Sequence, residues 1–122
     1  MKPIIKKDEL IIDNVVDAFY QKAKSDFMIG YHFRVIENFD SHIPKIQAFW
    51  KTRLLGYSFP QNLARIQFNQ AHAALPIKRA EIGRWKTLFY QTMDESMDRS
   101  SKLYQNWKNE VETFGKVLES SL

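Results

Sequence analysis

The sequence predicts an all-α protein, and three observations carry that prediction. Apolar residues recur at steps of three and four through most of the chain. No segment alternates apolar and polar residues with a β-rich composition. Only four glycines are available, too few to supply the turns of a hairpin protein. At 122 residues, the chain is expected to form one domain, 1–122, around a single core.

The first helix is expected over residues 8–24, "DELIIDNVVDAFYQKAK", where Ile12, Val15, Val16, Phe19, Tyr20 and Ala23 make one apolar face. Asp8 or Asp13 is placed to cap its start. "SDFMIGYHF" breaks the period, and Gly30 suggests a turn there. A second helix opens near Ser41, with Ser41 or Asp40 as its cap, Pro44 tolerated in the first turn and Gly56 ending it. On it, His42, Ile46, Phe49 and Arg53 share one stripe, and Ile43, Trp50 and Leu54 a neighbouring one.

After the loop "YSFP", a weaker third helix is expected over "QNLARIQFNQAHAAL", ended by Pro76. Residues 78–96 form the most regular helix, with Ile82, Trp85, Phe89 and Met93 on one face. The last helix runs from about Ser100 through Leu103, Trp107, Val111, Phe114 and Leu118, with Gly115 a local weakness. No internal repeat or low-complexity tract interrupts this series.

Composition closes several classes of function. Without cysteine there are no disulfides, thiolate metal sites, thiol catalysis or covalently attached haem. Apolar runs are short, so no transmembrane helix is expected, and the N-terminal segment does not read as a signal peptide, which makes the cytoplasm the expected location. The net charge is +4, but basic residues are scattered and no run exceeds two, which argues against nucleic-acid binding. Histidines at 32, 42 and 72 lie on different elements and form no zinc motif. Phosphate loops, a nucleophile elbow and di-iron E-x-x-H pairs are also missing.

One metal chemistry asks the protein for only a single imidazole. Haem iron, already held by four porphyrin nitrogens, needs one proximal histidine and an apolar pocket with a few hydrogen-bond donors. Nine Phe, five Tyr and three Trp provide the aromatic surface for such a pocket. Tyr20 and His42, each on the apolar face of its helix, are candidate donors. Each also has a plainer reading: Tyr20 as a core tyrosine, His42 as a solvated first-turn residue. His32 has no evident chemistry and is expected at the surface.

The ordered series "AFYQKAKSDFMIGYHF", "SHIPKIQAFWKTRLLG", "AHAALP" and "IGRWKTLF" resembles the truncated haemoglobins, in particular their third group, over residues 10 to 95. The elements of the likeness are Phe19-Tyr20, Phe33 thirteen residues on, H-x-x-x-I-x-x-F-W before L-L-G, H-x-x-L-P, and Trp85 ahead of Leu88-Phe89. The segment "YSFPQNLARIQFNQ" departs from the family's Tyr-x-Gly pattern.

The resemblance implies a compact, globin-like two-over-two helical fold around a haem pocket. It makes His72 the proximal ligand of a non-covalent haem b (Fe-protoporphyrin IX). Tyr20, His42 and Trp85 would stand on the distal side, with His42 able to swing outward as a gate. Phe33, Ile46, Phe49 and Phe68 would contact the haem. Arg53, Arg65 and Lys78 are propionate candidates by charge alone.

The implied ligands are O₂, NO and CO. The implied roles are O₂ buffering or haem-dependent NO dioxygenase-like or peroxidase-like chemistry in a bacterium, with an unidentified reductase, by a monomer or weak dimer that binds neither nucleic acid nor membrane. Two other readings stay open: a haem-free helical interaction module with a basic surface, and a haem-based sensor, against which the lack of an output domain counts.

Overall fold

The structure, a computed structural model, describes residues 2–36, 38–56 and 77–120. Among them every regular element is helical: α1 (Lys2–Ser25), α2 (Gly30–Arg34), a 3₁₀ turn (Phe39–His42), α3 (Ile43–Leu55), α4 (Arg79–Ser96) and α5 (Lys102–Ser120). The expected helix over 61–75 lies outside the described residues, and with it His72, Phe68 and Arg65.

Helix α1 begins at Lys2, six residues earlier than expected, because Pro3 falls in the first turn, where no intrahelical N–H is required. Asp8 and Asp13 therefore lie inside the helix and do not cap it. Asp13 is instead held by Lys51 of α3, with Nζ 3.0 Å from Oδ1. The apolar face is as read: Ile12, Val15, Val16, Phe19 and Ala23 are buried.

Beyond α1, Asp26 accepts the backbone N–H groups of Met28 (3.0 Å) and Ile29 (3.1 Å), and so shapes the turn into α2. Two bonds from Arg84 of α4, at 3.0 and 2.6 Å, reach the same carboxylate and hold it below the usual carboxylate range. Gly30 opens α2 with helical backbone. What it supplies is close approach, since a Cβ at this position would stand 2.8 Å from the Lys24 carbonyl and 3.2 Å from that of Ala23.

The expected cap of the second helix is corrected. Ser41 and Asp40 sit in the 3₁₀ turn, and the residue flanking α3 is His42, which makes no side-chain capping bond. The two polar side chains are engaged elsewhere, Ser41 Oγ on the Asn38 carbonyl (2.8 Å) and Asp40 on Lys24 (2.8 Å). Gly56 ends α3 as expected, at a left-handed φ of 73°, its N–H on the Thr52 carbonyl.

Helices α4 and α5 follow the predicted periodicity. Ile82, Phe89 and Met93 are buried on α4, and Leu103, Trp107 and Val111 on α5. The start of α5 is Lys102, because the Ser101 hydroxyl accepts the Tyr104 N–H (3.1 Å) as a cap does. It continues unbroken through Gly115, whose bare Cα lies against the Lys86 side chain.

Helix α1 packs on α2, α3 and α4, α4 packs on α5, and α3 also touches α5. The core between them combines aliphatic side chains with a cluster of aromatic rings. Phe89 stands at its centre, with ring centroids 4.7 Å from Phe19, 5.7 Å from Trp50, 5.8 Å from Trp85 and 5.5 Å from Trp107. Edge-to-face and tilted contacts of this kind add to the burial of large apolar surfaces. No described helix is long and apolar enough to cross a membrane.

Candidate functional site

A cavity of about 60 Å³ lies between α1, α2, α4 and the end of α5, bounded by Tyr20, Ile29, His32, Phe33, Glu81, Trp85 and their neighbours. Four of these residues place its chemistry. Tyr20 sits on α1 one position past the buried Phe19, so its ring leaves the core sideways and meets Phe33 (5.6 Å, edge to face) and Phe39 (5.2 Å). Its hydroxyl has no hydrogen-bond partner among the described residues, and burial pushes its ionisation above the ordinary tyrosine value. It is therefore a neutral donor. Trp85 is half-buried, packed against Phe89 and the core on one side and lining the cavity on the other, while Ile82 and Phe89 on the same face are fully buried.

The family resemblance had singled out Tyr20, Phe33 and Trp85, and the structure brings all three to one cavity. His42 is not among its walls. It is exposed at the end of the 3₁₀ turn, its ring 5.9 Å from Phe39. Ile46 and Phe49 are half-buried and pack on the core cluster, Phe49 against Trp50 and Phe114 at 5.2 Å each. Arg53 is engaged by Glu110 of α5 (Nη2 to Oε1, 2.9 Å), with its guanidinium over Phe114. Lys78 is exposed just before α4.

Two polar residues of the cavity were missed. His32, expected at the surface, is 5% exposed, and the reason is Glu81. The Glu81 carboxylate, 6% exposed, meets three donors: His32 Nε2 at 3.0 Å from Oε1, the Lys78 backbone N–H at 2.9 Å from Oε1, and the Tyr31 hydroxyl at 2.5 Å from Oε2. Burial alone would raise its pKa. The hydrogen bonds from Tyr31, His32 and Lys78 outweigh that and bring it down to about 2, so a buried carboxylate stays ionised. Glu81 also stands at the third position of α4, where it satisfies the N–H that precedes the helix.

The chain matches no family model, no curated protein and no solved structure.

The described residues suit one face of a haem site: aromatic walls, a neutral hydroxyl without a partner among them, and an indole able to donate an N–H. This partly open cavity suits a small ligand of a few atoms and is far too small for a porphyrin. Among the described residues no group of three or more histidine, aspartate or glutamate side chains could hold a bare metal ion.

Proposed function

We propose that the chain is a non-covalent b-type haem protein of the truncated-globin kind, which binds O₂ and other diatomics at a His72-ligated iron. The observation that carries this reading is the convergence of Tyr20, Phe33 and Trp85, from three separate helices, on one small cavity. Contacts of α1 with α3, of α4 with α5, of α1 with α4 and of α3 with α5 are compatible with a two-over-two arrangement and support the reading.

When bound, the haem would supply an iron that takes O₂, NO or CO and changes oxidation state. The chain's own part is to tune that chemistry. Tyr20 would donate its hydroxyl hydrogen to the outer atom of a bound ligand, and Trp85 its indole hydrogen. Phe33, Ile29 and Ile82 would keep bulk water out, so that each donor acts in a low dielectric. Two donors on one polar ligand slow its escape, which favours ligand retention or NO and peroxide chemistry over rapid exchange.

The haem-free interaction module draws less support. Lys22, Lys24, Lys51, Arg53, Arg84 and Lys86 are each paired with a carboxylate, which divides the basic surface into local ion pairs. Reconstitution tests the proposal. Hemin added to the purified chain should give a Soret band that saturates at one equivalent, and failure to develop one refutes it.

A further inference from the structure

Residues 26–35, the turn after α1 together with α2, form part of the cavity wall. Ile29, His32 and Phe33 come from this segment, while Tyr20, Ile82 and Trp85 stand on α1 and α4. The outer side of the segment is bare: Phe27, Tyr31 and Val35, four residues apart, are 85%, 38% and 76% exposed. A five-residue helix does not hold itself together in water. Its neighbours must keep it in place.

Those attachments are unevenly built. Ile29 is the segment's one buried apolar side chain, whereas α1 buries Ile12, Val15, Val16, Phe19 and Ala23. Toward α1 the segment is continuous with the helix, Gly30 lies against the Ala23 and Lys24 carbonyls, and the Phe33 ring meets Tyr20. Toward α4, every described hydrogen bond runs through one of two residues a turn apart. Glu81 accepts the Tyr31 hydroxyl and lies 3.0 Å from His32 Nε2. Arg84 donates twice to Asp26, the carboxylate that also holds the Met28 and Ile29 N–H groups, and its guanidinium covers the exposed Phe27 ring. Both carboxylates are held below their ordinary range, so at neutral pH both attachments are charge-assisted.

Few buried apolar contacts, a bare outer face and an attachment concentrated in two side chains mark a segment that opens at a lower free energy than global unfolding. We infer that residues 26–35 are a lid on the cavity, hinged at α1 and latched to α4 by Glu81 and Arg84, which opens while α1, α4 and α5 stay folded. No bound haem is involved. When the lid lifts, Ile29 and Phe33 leave with it, and Tyr20, Ile82 and Trp85 line an open cleft in place of the small cavity. The open site takes ligands larger than a few atoms. Breaking both latches sets the cost of opening.

Native-state hydrogen exchange of the whole chain, followed by NMR across urea concentrations below the unfolding transition, tests this. The amides of Met28, Ile29, Gly30 and His32, each hydrogen-bonded within the segment, are compared with those at the centres of α4 and α5. The lid amides should share one opening that is more frequent and less dependent on urea than that of the core amides. Lid amides that exchange only together with the core amides overturn the proposal.

Two substitutions locate the latch. Glu81→Gln should speed exchange of the lid amides roughly tenfold or more, the worth of one charge-assisted hydrogen bond. Glu112→Gln weakens the bond from Tyr90 of α4 to Glu112 of α5. It should speed exchange of the core amides and leave the lid amides unmoved, because α4 and α5 stay packed when the lid opens. Lid amides that respond alike to both substitutions, or not at all to Glu81→Gln, refute the latch. Should Glu81→Gln fail to fold, Arg84→Gln at the second latch is read in the same way, and the two classes of amide in the unaltered chain still decide whether the segment opens alone.

Discussion

Replacing Glu81 with glutamine removes one charge and one acceptor from a carboxylate that ties α2 to the start of α4. Glutamine has nearly the same volume and retains one oxygen, so the loss is electrostatic and not one of packing. Charge-assisted hydrogen bonds are worth roughly 1.5–3 kcal/mol each, and stranding a buried donor costs about 1–3 kcal/mol. Breaking a buried ion pair from one side sets a ceiling of about 3–5 kcal/mol. With three donors on the carboxylate and only one oxygen surviving, we expect a loss of about 3 kcal/mol at neutral pH and a fall in Tm of roughly 10 °C.

The pH dependence has a definite sign. The folded pKa of Glu81, about 2, lies below its ordinary value of 4.5, so its contribution is fully present above that value and is lost as pH falls toward 2. The gap between the two chains should therefore narrow between pH 4.5 and 2. Asp26 and Glu112, also held low, are present in both chains and cancel in the difference. Urea unfolding followed by circular dichroism at several pH values is the assay. Equal stability at neutral pH, or a gap that does not change with pH, would show that the carboxylate is not held as described.

Three further substitutions probe other parts of the account. Gly30→Ala should destabilise by about 2 kcal/mol in urea, because the new methyl meets two fixed backbone carbonyls of α1; an unchanged midpoint would mean that the approach of α2 to α1 is looser. Phe89→Ala should cost about 3–5 kcal/mol and alter tryptophan emission, since Trp50, Trp85 and Trp107 all abut that ring. Tyr20→Phe should leave stability within about 0.5 kcal/mol, yet speed O₂ dissociation from the hemin-reconstituted, reduced chain by roughly tenfold, the worth of one hydrogen bond. An unmoved rate would place the hydroxyl away from the ligand.

Periodicity made α1, α4 and α5 legible, because each has a continuous apolar face and local spacing reports such faces directly. Caps were misread where a polar side chain had a stronger partner far along the chain, as Asp13 has in Lys51 and Asp40 in Lys24. His32 was misplaced for the same reason: nothing in "GYHF" discloses a carboxylate 49 residues away. A signal was nevertheless present on α4. Glu81 stands four residues before Trp85 and eight before Phe89, on the apolar face, and an acidic residue there calls for a buried donor. Tyr20, Phe33 and Trp85 came from the family likeness and not from spacing alone, since a tyrosine lining a cavity and one filling a core leave the same trace in a periodic helix.

We propose that a single imidazole, His72, holds a haem iron. Hemin titration of the unaltered chain and of His72→Ala, read in the Soret region with both proteins shown to be folded by circular dichroism, tests it most directly. A stoichiometric, tightly held haem is expected in the first and its loss or marked weakening in the second. Equal retention and identical spectra would contradict it.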